Sequence, residues 1–213
     1  MIKKAAIFCG GPMDTYDVFD CRKRDEFLVI CADSGLKHTK KMGIVPDAVI
    51  GDFDSYDISD EEYKNCIVYP PEKDKTDSNI CLDYAIEKGC REVYLFGGFG
   101  GRIDHEYSTF TLLLYGLKRG VRVYLVNGQN EVWLADKPFY LTPNDKKYVS
   151  FFPYGGNVEG FTVKGLKYSA ENIILDCGEA QASSNEFTDS EKAEILFNKG
   201  YVLVMRRKDK GQA

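Results

Sequence analysis

A chain of 213 residues with 28 Lys and Arg against 33 Asp and Glu, 44% hydrophobic and 29% charged, has the make-up of an ordinary folded protein. It is long enough for one large domain or two modest ones. The net charge of −5 leaves no footprint for nucleic acid, and no stretch approaches the roughly 18 to 20 apolar residues of a membrane span.

In chain order, "AAIFC", "FLVIC", "DAVIG", "CIVYP", "VYLFG" and "VRVYLV" are short apolar runs ended by Gly, Pro, Asp or Asn. They read as buried parallel strands. Between them, "DSNICLDYAIEKG" places Cys81, Leu82, Ala85 and Ile86 at helical spacing with Gly89 as a stop. "DHEYSTFTLLLYGLKRG" sets Phe110, Leu113, Leu114 and Leu117 on one face, so both segments read as amphipathic crossover helices. From about residue 130 the pieces "EVWLA", "PFYLT", "YVSFFPY", "FTVKGLKY", "NIILDC" and "AEILFNKGYVLVMRR" lack helical period. The expected architecture is an N-terminal α/β domain with a mainly parallel sheet, residues 1–130, then an all-β, sandwich-like domain, residues 131–213. Asn127, Gly128 and Pro138 punctuate the junction. The basic ending "RRKDKGQA" reads as a solvated tail.

The seven cysteines are odd in number, form no C-x-x-C pair and stand with only two histidines. This favours free thiols in a reducing compartment over a structural zinc site. The opening "MIKKAAIFCGG" breaks at glycine before a signal-peptide core forms, so a cytoplasmic protein is expected.

Loops leaving the carboxyl ends of parallel strands gather on one edge, where ligands bind. The loops there are "ADSG" at 32–35, "GDFDS" at 51–55, "PPEKDKTD" at 70–77 and "GGFGGRIDH" at 97–105. In "GDFDS", Asp52 and Asp54 project to one side of an extended segment, an arrangement that suits Mg²⁺, although a lone D-x-D more often marks a turn in which Asp bonds its own backbone. In "KDKTD", Thr76 or Asp77 is the N-cap of the next helix, and Lys73 and Lys75 stand beside it as phosphate partners or as solvated lysines. The glycines Gly97, Gly98, Gly100 and Gly101 let the backbone aim N–H groups at an anion before a helix begins. Arg102 adds a fork for phosphate, and Asp104 and His105 add an acid and a titratable base. The loop is not a Walker A motif, since no Gly-Lys-Ser/Thr follows, nor a dinucleotide fingerprint, since Ile103 stands where the third small residue is needed. Together the loops suit a metal–nucleotide complex.

With these residues in view, six ordered blocks resemble the thiamine pyrophosphokinase family: "CADSGLKH", "PDAVIGDFDS", "EKDKTDSNICLDYAI", "FGGFGGRIDHEYSTFTLL", "VSFFPYGGNVEGFTVKGLKY" and "SSNEF". The resemblance implies ATP and Mg²⁺ on the α/β domain, a C-terminal β-sandwich, and a homodimer with thiamine in clefts between subunits. It also implies transfer of the terminal pyrophosphoryl group of ATP to the hydroxyethyl oxygen of thiamine, giving thiamine diphosphate and AMP.

Carried over by residue, Asp52, Asp54 and Asp77 become the metal-facing carboxylates, and they join Arg102 and Asp104 as the catalytic set. Asp33, Lys73, Asp74, Thr76, Gly98, Gly100, Gly101, Arg102 and His105 become the nucleotide-facing set. Ser184 and Asn185 face thiamine. The chain departs from many relatives at Ser34, Leu36, Lys37 and Thr109, and its sole Trp, Trp133, lies outside the final strand, where Tyr201 is the aromatic candidate. Two other readings are a Mg²⁺-dependent nucleotide or phosphate-ester hydrolase, with water as acceptor, and a nucleotide or thiamine sensor without turnover.

Overall fold

The apolar runs of the first half form strands β1 (Lys3–Phe8), β2 (Phe27–Ala32), β3 (Ala48–Gly51), β4 (Cys66–Val68), β5 (Cys90–Phe96) and β6 (Arg122–Val126). The computed structural model describes residues 3–51, 66–68 and 74–209. Asp52, Asp54 and Lys73 therefore lie outside the described residues. The chain divides into two units, Met1–Gly128 and Gln129–Ala213.

In the first unit the strands pair in the order β6-β5-β1-β2-β3-β4, each pair parallel. A parallel sheet is covered on both faces, so its strands are apolar throughout instead of alternating. Ala5, Ala6, Ile7 and Phe8 of β1 are all fully buried. Phe8 stacks on Phe96 at 5.1 Å, and Phe19 meets Phe8 edge-on at 5.5 Å, which pins the segment after β1 to the core. Each such buried ring stabilises the fold by about 1.5–3 kcal/mol.

Two 3₁₀ turns, Cys21–Glu26 and Asp33–Gly35, and three α-helices complete the described part of this unit: α1 (Leu36–Met42), α2 (Asp77–Glu87) and α3 (Ile103–Leu117). Helix α2 packs on β1, β2, β3 and β5 through Ile80, Cys81, Leu82 and Ala85. The buried stripe of α3 is Thr109, Leu112, Leu113 and Gly116, rotated from the Phe110–Leu113–Leu114–Leu117 face that the spacing suggests. Close approach to β6 causes the rotation, since a Cβ on Gly116 would sit 2.5 Å from Val123 Cγ2.

From β1 the chain adds β2, β3 and β4 to one side of the sheet and then β5 and β6 to the other. The strand order thus reverses beside β1, and the loops after β1 and β5 part there. Such a reversal opens a crevice at the carboxyl ends of the strands, where ligands bind in parallel sheets.

The second unit contains β7 (Asn130–Ala135), β8 (Phe139–Leu141), β9 (Tyr148–Pro153), β10 (Val158–Lys164), β11 (Ala170–Leu175), β12 (Ala182–Glu186), β13 (Ala193–Leu196) and β14 (Val202–Arg207). They form two antiparallel layers, β12-β9-β14-β7 and β11-β10-β13-β8. Phe151 from one layer meets Phe161 from the other at 5.5 Å, both buried, as in a sandwich core.

The basic ending departs from the solvated tail read from the sequence. Arg206 shares the inward side of β14 with Val202 and Val204, is buried, and donates from Nη2 to the Thr142 carbonyl at 2.8 Å. Burial lowers its pKa from the ordinary value. Among the described residues, no helix is long and apolar enough to cross a membrane, and all seven cysteines are free.

Candidate active site

A cleft of about 440 Å³ lies at the reversal point, within the range of about 300–1,000 Å³ usual for small-molecule sites. Its walls come from the segments after β1 (Cys9, Gly10, Gly11), β2 (Ala32, Asp33, Ser34) and β5 (Gly97, Gly98, Phe99, Gly101), and from the first turns of α2 and α3. These segments pack backbone against backbone. A Cβ on Gly11 would lie 2.3 Å from the Gly97 carbonyl oxygen, and one on Gly97, which has φ +68°, would lie 2.5 Å from the Cys9 carbonyl oxygen. Glycine is required at both places, because a side chain would push the loops apart.

The cleft is electrostatically suited to an anion, since the N-terminal turns of two helices line it. Thr76 caps α2, its Oγ1 accepting from the Asn79 N–H at 3.3 Å, and Thr76, Asp77 and Ser78 face the cleft. Arg102 is the N-cap of α3 without a side-chain cap bond, and it faces the cleft with His105 and Glu106. Helix N-termini bring uncompensated N–H groups and the positive end of the macrodipole. Each of these two ends favours a bound anion by about 0.3–1 kcal/mol when exposed.

Two acids of α3 engage the donors of the glycine loop. Asp104 holds Arg102 through two contacts, Nη2 to Oδ2 at 2.5 Å and Nε to Oδ1 at 3.2 Å. That pair lowers the Asp104 pKa and raises that of Arg102. Glu106 Oε1 accepts from the N–H groups of both Gly100 and Gly101, each at 2.8 Å. A carboxylate oxygen thus already sits where these adjacent amides converge, the geometry of an anion-binding nest.

Of the residues singled out from the sequence, Asp33, Thr76, Asp77, Gly98, Gly101, Arg102 and His105 come together on the cleft. Asp104 turns to Arg102, and Asp74 and Gly100 are exposed without lining the cleft. Asp33 adopts φ +44°, a conformation that costs a non-glycine residue about 1–3 kcal/mol and concentrates at functional sites. Burial, with Cys31 and Asp77 nearby, pushes the Cys9 thiol up to about 12, so it is a neutral wall and not a nucleophile.

Among the described residues no three His, Cys, Asp or Glu side chains converge as a metal-holding group. Asp33 and Asp77 nonetheless bring two carboxylates to one cleft. Hard oxygen donors beside an anion site fit Mg²⁺ held jointly with phosphates.

In the second unit, Ser184 and Asn185 lie in β12 where its register with β9 shifts between Ala182 and Asn185. Ser184 is exposed with φ +54°, and its N–H donates to Ser150 Oγ at 2.9 Å. Asn185 is buried: its Oδ1 accepts from the N–H groups of Tyr168 and Glu186, both at 3.0 Å, and its Nδ2 donates to the Tyr168 carbonyl at 2.7 Å. Only one of its amide hydrogens is left for a further partner. Asn185 therefore ties β12 to the β10–β11 connection and sets the turn beside Ser184.

Sequence reasoning passed over Gly10, Gly11, Ser78 and Glu106 in the cleft wall. "CGGP" at 9–12 carried the only signal for the first two, as a second glycine pair following a strand.

An α/β unit with an anion-accepting cleft at its strand-order reversal, followed by a β-sandwich unit, defines an enzyme class that works on phosphate compounds. Residues 22–125 match the family model described as thiamin pyrophosphokinase, catalytic domain, and residues 139–202 match thiamin pyrophosphokinase, vitamin B1 binding domain. Thiamine pyrophosphokinase from Bacillus subtilis (strain 168) is 31% identical over 217 residues, covering 98% of this chain and 100% of the relative. The crystal structure of thiamine pyrophosphokinase from Bacillus subtilis superposes with TM-score 0.85 at 28% identity, over 97% of this chain and 100% of that one. The structure of thiamin pyrophosphokinase from Geobacillus thermodenitrificans gives 0.84 at 28% identity, over 99% and 100%. The chain belongs to the thiamine pyrophosphokinase family.

Proposed function

We propose that this protein transfers the terminal pyrophosphoryl group of ATP to the hydroxyethyl oxygen of thiamine, giving thiamine diphosphate and AMP. Within the family, the observation that carries the reading is the convergence of two helix N-termini and the glycine loops on one cleft. That arrangement accepts a polyphosphate, whose charge the helix ends and the Arg102 guanidinium offset. The thiamine oxygen forms a bond to the β-phosphorus while the bond from that phosphorus to the α,β-bridging oxygen breaks. The electron pair leaves with AMP, and the hydroxyl proton passes to a carboxylate at the cleft. Positioning and charge stabilisation supply most of the acceleration in such transfers.

Asp77, with Asp52 and Asp54 from outside the described residues, would hold Mg²⁺, which when bound draws charge from the phosphate oxygens. We assign Ser184 to the thiamine side and Asn185 to shaping that turn. A homodimer with thiamine between subunits, and a cytoplasmic location in keeping with the free thiols, belong to the same proposal.

Incubation with MgATP and thiamine, followed by mass spectrometry, tests it. Thiamine diphosphate and AMP should form in equal amounts, dependent on both additions. ADP or phosphate released without thiamine would replace the reading with the hydrolase, and ligand binding without turnover would replace it with the sensor.

A further inference from the structure

His38 is one of two histidines in the chain and is only 3% exposed, yet it lies outside the cleft wall. Both of its ring nitrogens are engaged. Nε2 lies 2.8 Å from the Gly11 carbonyl oxygen and Nδ1 lies 2.9 Å from the Tyr16 hydroxyl. A carbonyl only accepts, so Nε2 carries the proton and donates, and Nδ1 accepts from Tyr16. The preceding residue repeats the pattern, with Lys37 Nζ donating to the Gly10 carbonyl at 2.5 Å. Helix α1 thus grips two consecutive carbonyls of the segment after β1.

The consequence falls on the opposite edge of the backbone. In a trans peptide the carbonyl and the following N–H point in opposite directions, so a Gly10 carbonyl drawn to Lys37 turns the Gly11 N–H away from α1. Gly10 and Gly11 line the cleft, whereas Lys37 and His38 do not. Among the described residues none accepts a hydrogen bond from the Gly11 N–H. Pro12 follows and carries no N–H, so Gly11 is the last donor of this turn.

We propose that the Gly11 N–H donates to a phosphate oxygen of the nucleotide, and that Lys37, which holds the carbonyl of the same peptide, and His38, which anchors Gly11 through the next carbonyl, are its positioning residues. This rests on the reading of the cleft as the ATP site. It assigns that site a donor from the β1 side, across from the β5 loop. Tyr16 belongs to the same device, because its hydroxyl fixes the His38 tautomer that can hold Gly11.

The test is calorimetric titration of the full chain with MgATP in the absence of thiamine, alongside KM and kcat for each substrate. His38→Ala should weaken MgATP binding about tenfold, the loss of roughly one well-made hydrogen bond's worth of preorganisation, with KM for thiamine unchanged. His38→Gln, whose amide nitrogen reaches the place of Nε2, should restore most of the affinity. Lys37→Met, at an exposed position that does not threaten folding, should weaken binding about threefold. Unchanged MgATP affinity in Lys37→Met, or in His38→Ala despite a lowered melting temperature, would overturn the proposal, leaving His38 a core residue only. If the wild-type protein binds MgATP but makes no thiamine diphosphate, the reaction fails while the positioning role stands. No binding of MgATP by the wild-type protein would overturn both.

Discussion

In the first unit, Gly11 and Gly97 bring backbone to backbone at the cleft, and its lining is built from glycine segments and the first turns of two helices. In the second, Asn185 spans from β12 to Tyr168 with its side-chain amide, and the adjacent Ser184 holds φ +54° without being glycine. The first arrangement tolerates no added atoms but many neighbouring side chains. The second depends on the identity of single side chains. A phosphate chain is met by repeated donors in a fixed frame, whereas a ring substrate needs particular groups at particular points.

The sharpest way to break this contrast is a pair of alanine substitutions. Gly97→Ala combines a forbidding φ with a contact at 2.5 Å to the Cys9 carbonyl, and should lower kcat/KM for ATP by about a hundredfold or more. Gly155→Ala in the second unit has a similar φ of +71° but open space around the new Cβ. It should cost about 1–2 kcal/mol of stability and leave turnover intact. Equal losses of activity would deny the cleft its special packing.

Next in size is Asn185→Ala, which leaves the buried N–H and carbonyl of Tyr168 without their partner. Urea denaturation should show a loss of about 1–3 kcal/mol. A raised KM for thiamine with full stability would instead mean that this amide faces the substrate.

A smaller effect is expected from pH. His38 is surrounded by the Gly11 carbonyl, the Tyr16 hydroxyl, Lys37 and Lys41, and burial, aided by those lysines, lowers its pKa below the ordinary 6.5. The unfolded chain therefore binds the proton more readily, so the stability from neutral His38 is complete above pH 6.5 and is lost as pH falls toward the folded value. His38→Gln should flatten that limb of the urea-midpoint profile.

The smallest effect concerns Glu186, which Lys147 at 2.8 Å and Lys167 at 2.6 Å hold at a pKa of about 2. Its contribution is present above the ordinary value of 4.5 and fades as pH falls through about 2. Glu186→Gln should remove this slope, and added salt should shrink the difference.

What the sequence disclosed follows the same division. The strands were legible because both faces of a parallel sheet are buried, so that β1 and β2 are continuous apolar runs. The change to antiparallel strands was legible near residue 130, close to the unit boundary after Gly128. The β5 loop announced itself by its glycines, because backbone approach leaves a residue-type trace. Helix α1, with seven residues, is too short for periodicity to reveal, and the grip of His38 on Gly11 joins positions 27 apart. Likewise, which acid of "RIDHE" holds Arg102 and which takes the loop amides is a matter of side-chain direction. Asn185 was placed at thiamine by the family resemblance alone, and its hydrogen bonds to Tyr168, 17 residues away, leave no trace in the local sequence.

The most direct test of the central claim is amide chemical-shift mapping with a non-hydrolysable MgATP analogue. Shifts are expected at Gly11, Asp77, Ser78, Gly97 and Gly101, with Ser184 and Asn185 unmoved until thiamine is added. Shifts centred on Ser184 and Asn185 with the cleft silent would contradict it.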